Sequence, residues 1–145
     1  MVIPSTENQG PELALSESLH PGQNWAMQGN QGHLLIELST TIKPKRITVE
    51  HAKHKDPSLY ASAPKNFEIY AANDRASIQL QEGAIRYGEI FGRETNFNPA
   101  EGERSFENTT HKSVKYVLLK INENRGNPNF TSIYGVRVYG KPIED

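Results

Sequence analysis

The chain contains no cysteine. A disulfide framework, thiolate catalysis and cysteine-ligated zinc are therefore excluded, although the redox compartment is not fixed. Neither sign of charge dominates, since 16 Lys+Arg against 17 Asp+Glu give a formal net charge of −1. Without a basic block or an acidic tail, electrostatics gives no reason to expect nucleic acid or an anionic membrane as partner. No apolar run approaches the ~18 residues that a membrane-crossing helix needs. The opening stretch MVIPSTENQGPELALSES lacks the basic and apolar regions of a signal peptide. On this reading, a membrane-bound native protein would carry its anchor outside this chain. Also missing is any apolar pattern of period 3.6 longer than about two turns, so no long amphipathic helix is expected.

What remains is strand-like. Residues 33–39 (HLLIELS) and 45–51 (KRITVEH) alternate, with Leu34, Ile36 and Leu38 on one face of the first and Ile47 and Val49 on a face of the second. Residues 66–72 (NFEIYAA), 86–92 (RYGEIFG), 103–108 (ERSFEN), 113–122 (SVKYVLLKIN) and 131–140 (TSIYGVRVYG) continue the series. Between them lie the turn-forming clusters TTIKPK, KDPSLYASAPKN, NFNPAEGE and ENRGNPN. Residues 76–83 (ASIQLQEG) read as a helical turn or an irregular excursion. About seven short strands separated by Pro, Gly and Asn turns predict an all-β fold, an antiparallel β-sandwich of jelly-roll type. Its 145 residues fit one domain, large enough to bury roughly 68% of the surface exposed when unfolded. Residues 1–22 read as an irregular arm, 23–140 as the sandwich and 141–145 as a tail.

Few residues suggest chemistry. His51 and His54 are three apart, but lysines are interleaved and the pair straddles a strand end and a loop, so a solvated strand end is expected rather than a side-chain metal site. Ser62, in ASAP, lacks the strand-turn-helix setting of a nucleophilic serine. No Gly-rich phosphate loop occurs. Catalysis is not expected. Asn108 and Asn129 begin NTT and NFT sequons, matches too short to carry weight alone. Trp25 reads as a core or edge anchor, with a carbohydrate-stacking platform as the sharper alternative. By themselves, Ser62 is a turn serine and Tyr134 an inward-facing ring.

Taken in order, HPGQNWAMQGNQGHLLIELS, ITVEH, SAPKNFEIY and NPNFTSIYGVRVYG resemble the SUN domain, over about residues 13 to 140. The resemblance implies a galactose-binding-like β-sandwich from the lumenal end of an inner nuclear membrane protein, facing the perinuclear space of the nuclear envelope. It implies a non-enzymatic module that binds the C-terminal tail of a KASH protein and links nucleus to cytoskeleton. The matching peptide-binding positions are Ser62, Phe130 and Tyr134, with His51 beside the groove. A terminal carboxylate there would meet hydroxyl donors in a partly desolvated cleft, where charge-assisted hydrogen bonds are strongest. The resemblance further implies a loop holding a monovalent cation such as potassium through backbone groups, here Leu13, Ser16, Ser18, Gln23 and Tyr134, with no other cofactor required.

The chain departs from the family at three places. Phe130 stands where tyrosine is usual, removing a hydroxyl worth about 0.5–1.5 kcal/mol, or about 1.5–3 kcal/mol toward a charged group. Asn24 and Ser132 stand where the family commonly pairs two cysteines. The stretch matching the family's apolar lid carries the polar STENQG, which has little surface to set against the entropy of ordering. A poorly formed lid is expected over residues 3–15. Trimerisation in the family relies on upstream helices, so a homotrimer is expected with an upstream coiled coil and a monomer without one. Two other readings share the architecture: a carbohydrate-binding sandwich, and a divergent SUN domain with a non-KASH partner.

Overall fold

The computed structural model describes residues 25–51, 60–79, 86–111 and 113–142. Within them run ten strands: β1 (Trp25–Gln28), β2 (Gly32–Glu50), β3 (Pro64–Ala72), β4 (Ile78–Gln79), β5 (Arg86–Tyr87), β6 (Glu89–Glu94), β7 (Glu103–Glu107), β8 (Val114–Asn124), β9 (Phe130–Ile133) and β10 (Gly135–Pro142). Every pairing among them is antiparallel.

The two alternating segments at 33–39 and 45–51 are one strand, not two. The first part of β2, Gly32 to Glu37, pairs with β8, and the register breaks before Ile42. From Ile42 onward β2 pairs with β10, and from Arg46 also with β7. A single chain segment therefore serves a four-stranded sheet, β2–β8–β3–β6, and a three-stranded one, β7–β2–β10. The cluster TTIKPK, expected as a turn, lies inside it. Its proline is tolerated because β7 pairs only from Arg46, so at Pro44 the ladder is needed on one side alone.

The core lies between these sheets. Leu34, Ile36, Phe67, Ile69, Val117 and Leu119 from one meet Ile47, Val49, Phe106 and Val136 from the other in one buried cluster. Phe67 ties the layers, edge-on to Phe97 (6.0 Å, 74°) and Phe106 (5.9 Å, 82°). Each such pair adds about 0.5–1.5 kcal/mol beyond burial.

The outer face of the four-stranded sheet is half covered. Leu35, between two core residues, is itself fully buried with Ala72, Ile78 and Leu118 beside Tyr70, Tyr87 and Tyr116. The cover includes the β4–β5 ribbon, where Tyr87 stacks on Tyr70 (5.2 Å) and His33 (5.9 Å). Over its described part, 76–83 begins in the helical turn expected as one alternative, a single 3-10 turn at Arg75–Ser77 capped by Asp74, and then enters the short strand β4, which was not expected. Farther along this face Glu68 accepts hydrogen bonds from Arg93, Asn122 and Tyr70. Burial alone would raise its carboxyl pKa. The bonds from Asn122, Tyr70 and Arg93, with the charge of Lys120, outweigh it and hold the carboxyl below its usual value.

Candidate functional site

β2 ends at Glu50, whose buried carboxylate pairs with Arg137 across the ladder. His51 follows directly. Its N–H donates to the carbonyl of Gly102 (2.7 Å), a glycine in the left-handed region (φ 84°) that closes the 3-10 turn at Pro99–Glu101. That bond fixes where the imidazole leaves the sheet. The ring is 1% exposed and lies edge-on to Tyr134 (4.5 Å, 60°) and Tyr60 (6.3 Å, 65°). The solvated strand end expected here is thus a buried histidine, because segments 60–63 and 130–134 close over the strand's exit.

Ser62 sits in the turn before β3. Its carbonyl accepts from the N–H of Ser132 (2.8 Å), while the carbonyls of Ala61 and Ala63 accept from the N–H groups of Asn127 and Arg125 (3.0 Å each). The turn is therefore stitched to the stretch 125–132, which includes GNPN, by three backbone bonds. Ser62 is 5% exposed and Tyr134 2%. Tyr134 occupies the break between β9 and β10, which divides the strand expected over 131–140.

Of the four peptide-site candidates, the fold gathers His51, Ser62 and Tyr134 at one end of the sandwich. Phe130 is different: it is among the exposed large apolar side chains, in β9 opposite Gln28. Ser132 is buried and joins the group through its backbone. Leu13, Ser16, Ser18, Gln23 and Asn24, together with His54 and the stretch read as a lid, lie outside the described residues. No group of three or more His, Cys, Asp or Glu side chains able to hold a metal occurs among the described residues.

Asn124 organises this end, and sequence reading passed over it. At 4% exposure its amide nitrogen faces the carbonyls of Asn127 (2.7 Å) and Phe130 (3.0 Å) and Oγ1 of Thr131 (3.1 Å), while its oxygen accepts from Gly126 N–H (2.9 Å). Thr131 in turn donates to the carbonyl of Gly29 (2.8 Å), binding the segment to the β1–β2 turn. The available signal was an asparagine closing a strand just before a Gly-Asn-Pro turn.

Two sheets joined by one long strand, with a polar cluster at one end, define a galactose-binding-like β-sandwich. A family 32 carbohydrate-binding module from Streptococcus pneumoniae EndoD superposes with a TM-score of 0.71 at 18% identity, over 97% of this chain and 95% of that one. The lectin domain of lectinolysin gives 0.66 at 12% identity, over 96% and 89%. These likenesses concern the fold. Residues 4–142 match the Sad1 / UNC-like C-terminal family, and the chain belongs to it. SUN domain-containing protein 3 of Mus musculus is 37% identical over 139 residues, 92% of this chain and 41% of that protein. SUN domain-containing protein 1 of Homo sapiens is 31% identical, over 94% and 17%. The chain thus spans less than half the length of these relatives.

Proposed function

We propose that this SUN domain is a non-enzymatic peptide-binding module of a nuclear-envelope bridge. It captures the C-terminal tail of a KASH protein in the perinuclear space. The observation carrying this reading is the convergence of His51, Ser62 and Tyr134 at one end of the sandwich, with Ser62 stitched to the segment bearing Phe130. Ser62 and Tyr134 supply hydroxyls for the terminal carboxylate, and the neighbouring rings lower the local dielectric in which such bonds are strong. Phe130 offers an exposed ring to the peptide's apolar side chains. All three converging residues are buried, so binding involves opening of this end to admit the carboxylate. A monovalent cation such as potassium, bound through backbone groups of Leu13, Ser16, Ser18, Gln23 and Tyr134, would stiffen the surroundings of Tyr134, and no other cofactor is required. A homotrimer forms when a coiled coil precedes the domain, and the chain alone is monomeric.

The deciding experiment is calorimetric titration with a synthetic KASH C-terminal peptide beside the same peptide amidated at its end. Both the isolated chain and a fusion to a trimeric coiled coil are titrated. Binding that vanishes on amidation is expected. An absence of heat from the trimeric fusion at high peptide concentration would remove the KASH reading and leave the fold assignment intact.

A further inference from the structure

The sequons NTT at 108–110 and NFT at 129–131 are equivalent as motifs and differ in the fold. Asn108 is half-buried, and its side chain is engaged at both ends. Its Nδ2 donates to the carbonyl of Phe91 (3.2 Å), and its Oδ1 accepts from the N–H (2.9 Å) and the hydroxyl (2.6 Å) of Thr110. A sugar on that nitrogen keeps one amide hydrogen, but it sets a bulky group beside the Phe91 backbone, which lies within hydrogen-bond reach of the same atom.

Asn129 presents the opposite case. It is exposed, as are its neighbours Pro128 and Phe130, and its side chain makes no hydrogen bond among the described residues. Its backbone is fixed all the same: its N–H donates to Oδ1 of Asn127 (2.8 Å), and its carbonyl accepts from the N–H of Gly29 (2.8 Å). A substituent on Nδ2 there displaces nothing that the fold uses. Thr131, the hydroxyl residue of the same sequon, is fully buried and donates to the carbonyl of Gly29 (2.8 Å). In the folded chain the acceptor amide is therefore outside while the hydroxyl that completes the motif is inside. Transfer must come before β9 pairs with β1, and the finished fold then leaves the product in solvent.

We infer that Asn129 accepts an N-linked oligosaccharide in a lumenal compartment and that Asn108 does not. That the native protein meets this chemistry rests on the perinuclear reading above. In the step, Nδ2 of Asn129 gives up one proton and bonds to the anomeric carbon of a lipid pyrophosphate-linked oligosaccharide. The bond from that carbon to the phosphate oxygen breaks, and the lipid pyrophosphate leaves with the electron pair. The glycan borders Phe130, the next residue, and so stands at the rim of the proposed peptide site.

The test directs the full chain into the secretory pathway of eukaryotic cells through a cleavable leader. Intact mass is measured before and after an amidase that releases N-linked glycans and leaves aspartate at the acceptor. Release should remove a single glycan per chain, and peptide mapping should place the new aspartate at position 129. Asn129→Gln should carry no glycan, whereas Asn108→Gln should keep it, as should Thr131→Ser, which retains the hydroxyl. Thermal melts confirm that each variant is folded. An unmodified secreted parent, or a glycan on Asn108 with or without one on Asn129, overturns the inference. Because the leader supplies the compartment, neither result bears on the perinuclear reading. Protein recovered from its own cells checks that reading separately: a bare Asn129 there, beside a glycan on the secreted chain, upholds the site and removes the compartment.

Discussion

At the end of the sandwich that carries His51, segments far apart in sequence are tied directly to one another: 51 to 102, 61–63 to 125–132, 97 to 65 and 125, and 131 to 29. At the opposite end a cavity of about 460 Å³ is lined by Ala71, Asp74, Gly88, Glu89, Thr110 and His111 among others. There Asp74 caps Ser77 three residues on, and Asn108 accepts from Thr110 two residues on while its own N–H and amide donate to the carbonyls of Lys45 and Phe91 (3.2 Å each). The Glu89 carboxylate there is 84% exposed and lies 3.7 Å from Nε2 of His111. What separates the two ends is how many long-range bonds position the polar groups, two from Asn108 at the far end against the whole set at the His51 end, and such bonds pre-organise a site before a ligand arrives.

The comparison breaks most readily at Asn124. Asn124→Ala removes a buried amide serving several partners and should cost on the order of 3 kcal/mol, read as a lowered urea midpoint. A change below ~0.5 kcal/mol would mean that the cross-links do not hold this end. Next come Ser62→Ala and Tyr134→Phe, each expected to weaken KASH-peptide binding by roughly ten-fold. Calorimetry checks the affinity, and denaturation should show stability changed by less than ~1 kcal/mol. Glu68 stands apart from either end and responds to pH. Its folded pKa lies below the ordinary 4.5, so its stabilisation is fully present above that value and is lost as pH falls toward the folded pKa. Thermal melts should show Glu68→Gln flattening this acid limb, and an unaltered limb would assign the acid sensitivity elsewhere. The smallest effect belongs to the far end. Glu89→Gln should leave peptide affinity within about two-fold and stability within ~0.5 kcal/mol; a larger loss of affinity would show that the local turns take part in recognition.

The β-sandwich could be read from alternation, because Leu34, Ile36, Ile47, Val49, Phe67 and Ile69 do face one core. Continuity through Thr41, Lys43 and Pro44 could not. It depends on β10 pairing with β2 from a distance of nearly a hundred residues. Leu35 broke the alternation for a similar reason, since its cover includes a ribbon that local periodicity does not announce. At the site, family likeness pointed to Ser62 and Tyr134, which the fold brings together with His51. It gave no sign of Asn124, whose significance lies in the bonds it makes to Asn127, Phe130 and Thr131 once the chain has folded.

The path of β2 bears on how the domain answers tension. If the bridge is loaded, a pull applied near His51 enters a strand that is matched residue to residue with β10 at eight positions and with β7 at five. Drawn along its own axis, such a strand must slide, so these hydrogen bonds fail together rather than peel open one after another. Beyond Ile42 the same strand runs into β8, passing the load from one layer to the other without crossing a loop. A tether attached beside His51 should therefore rupture the domain at a higher force than one attached at the end of β10, whose single partner can be unzipped from the edge.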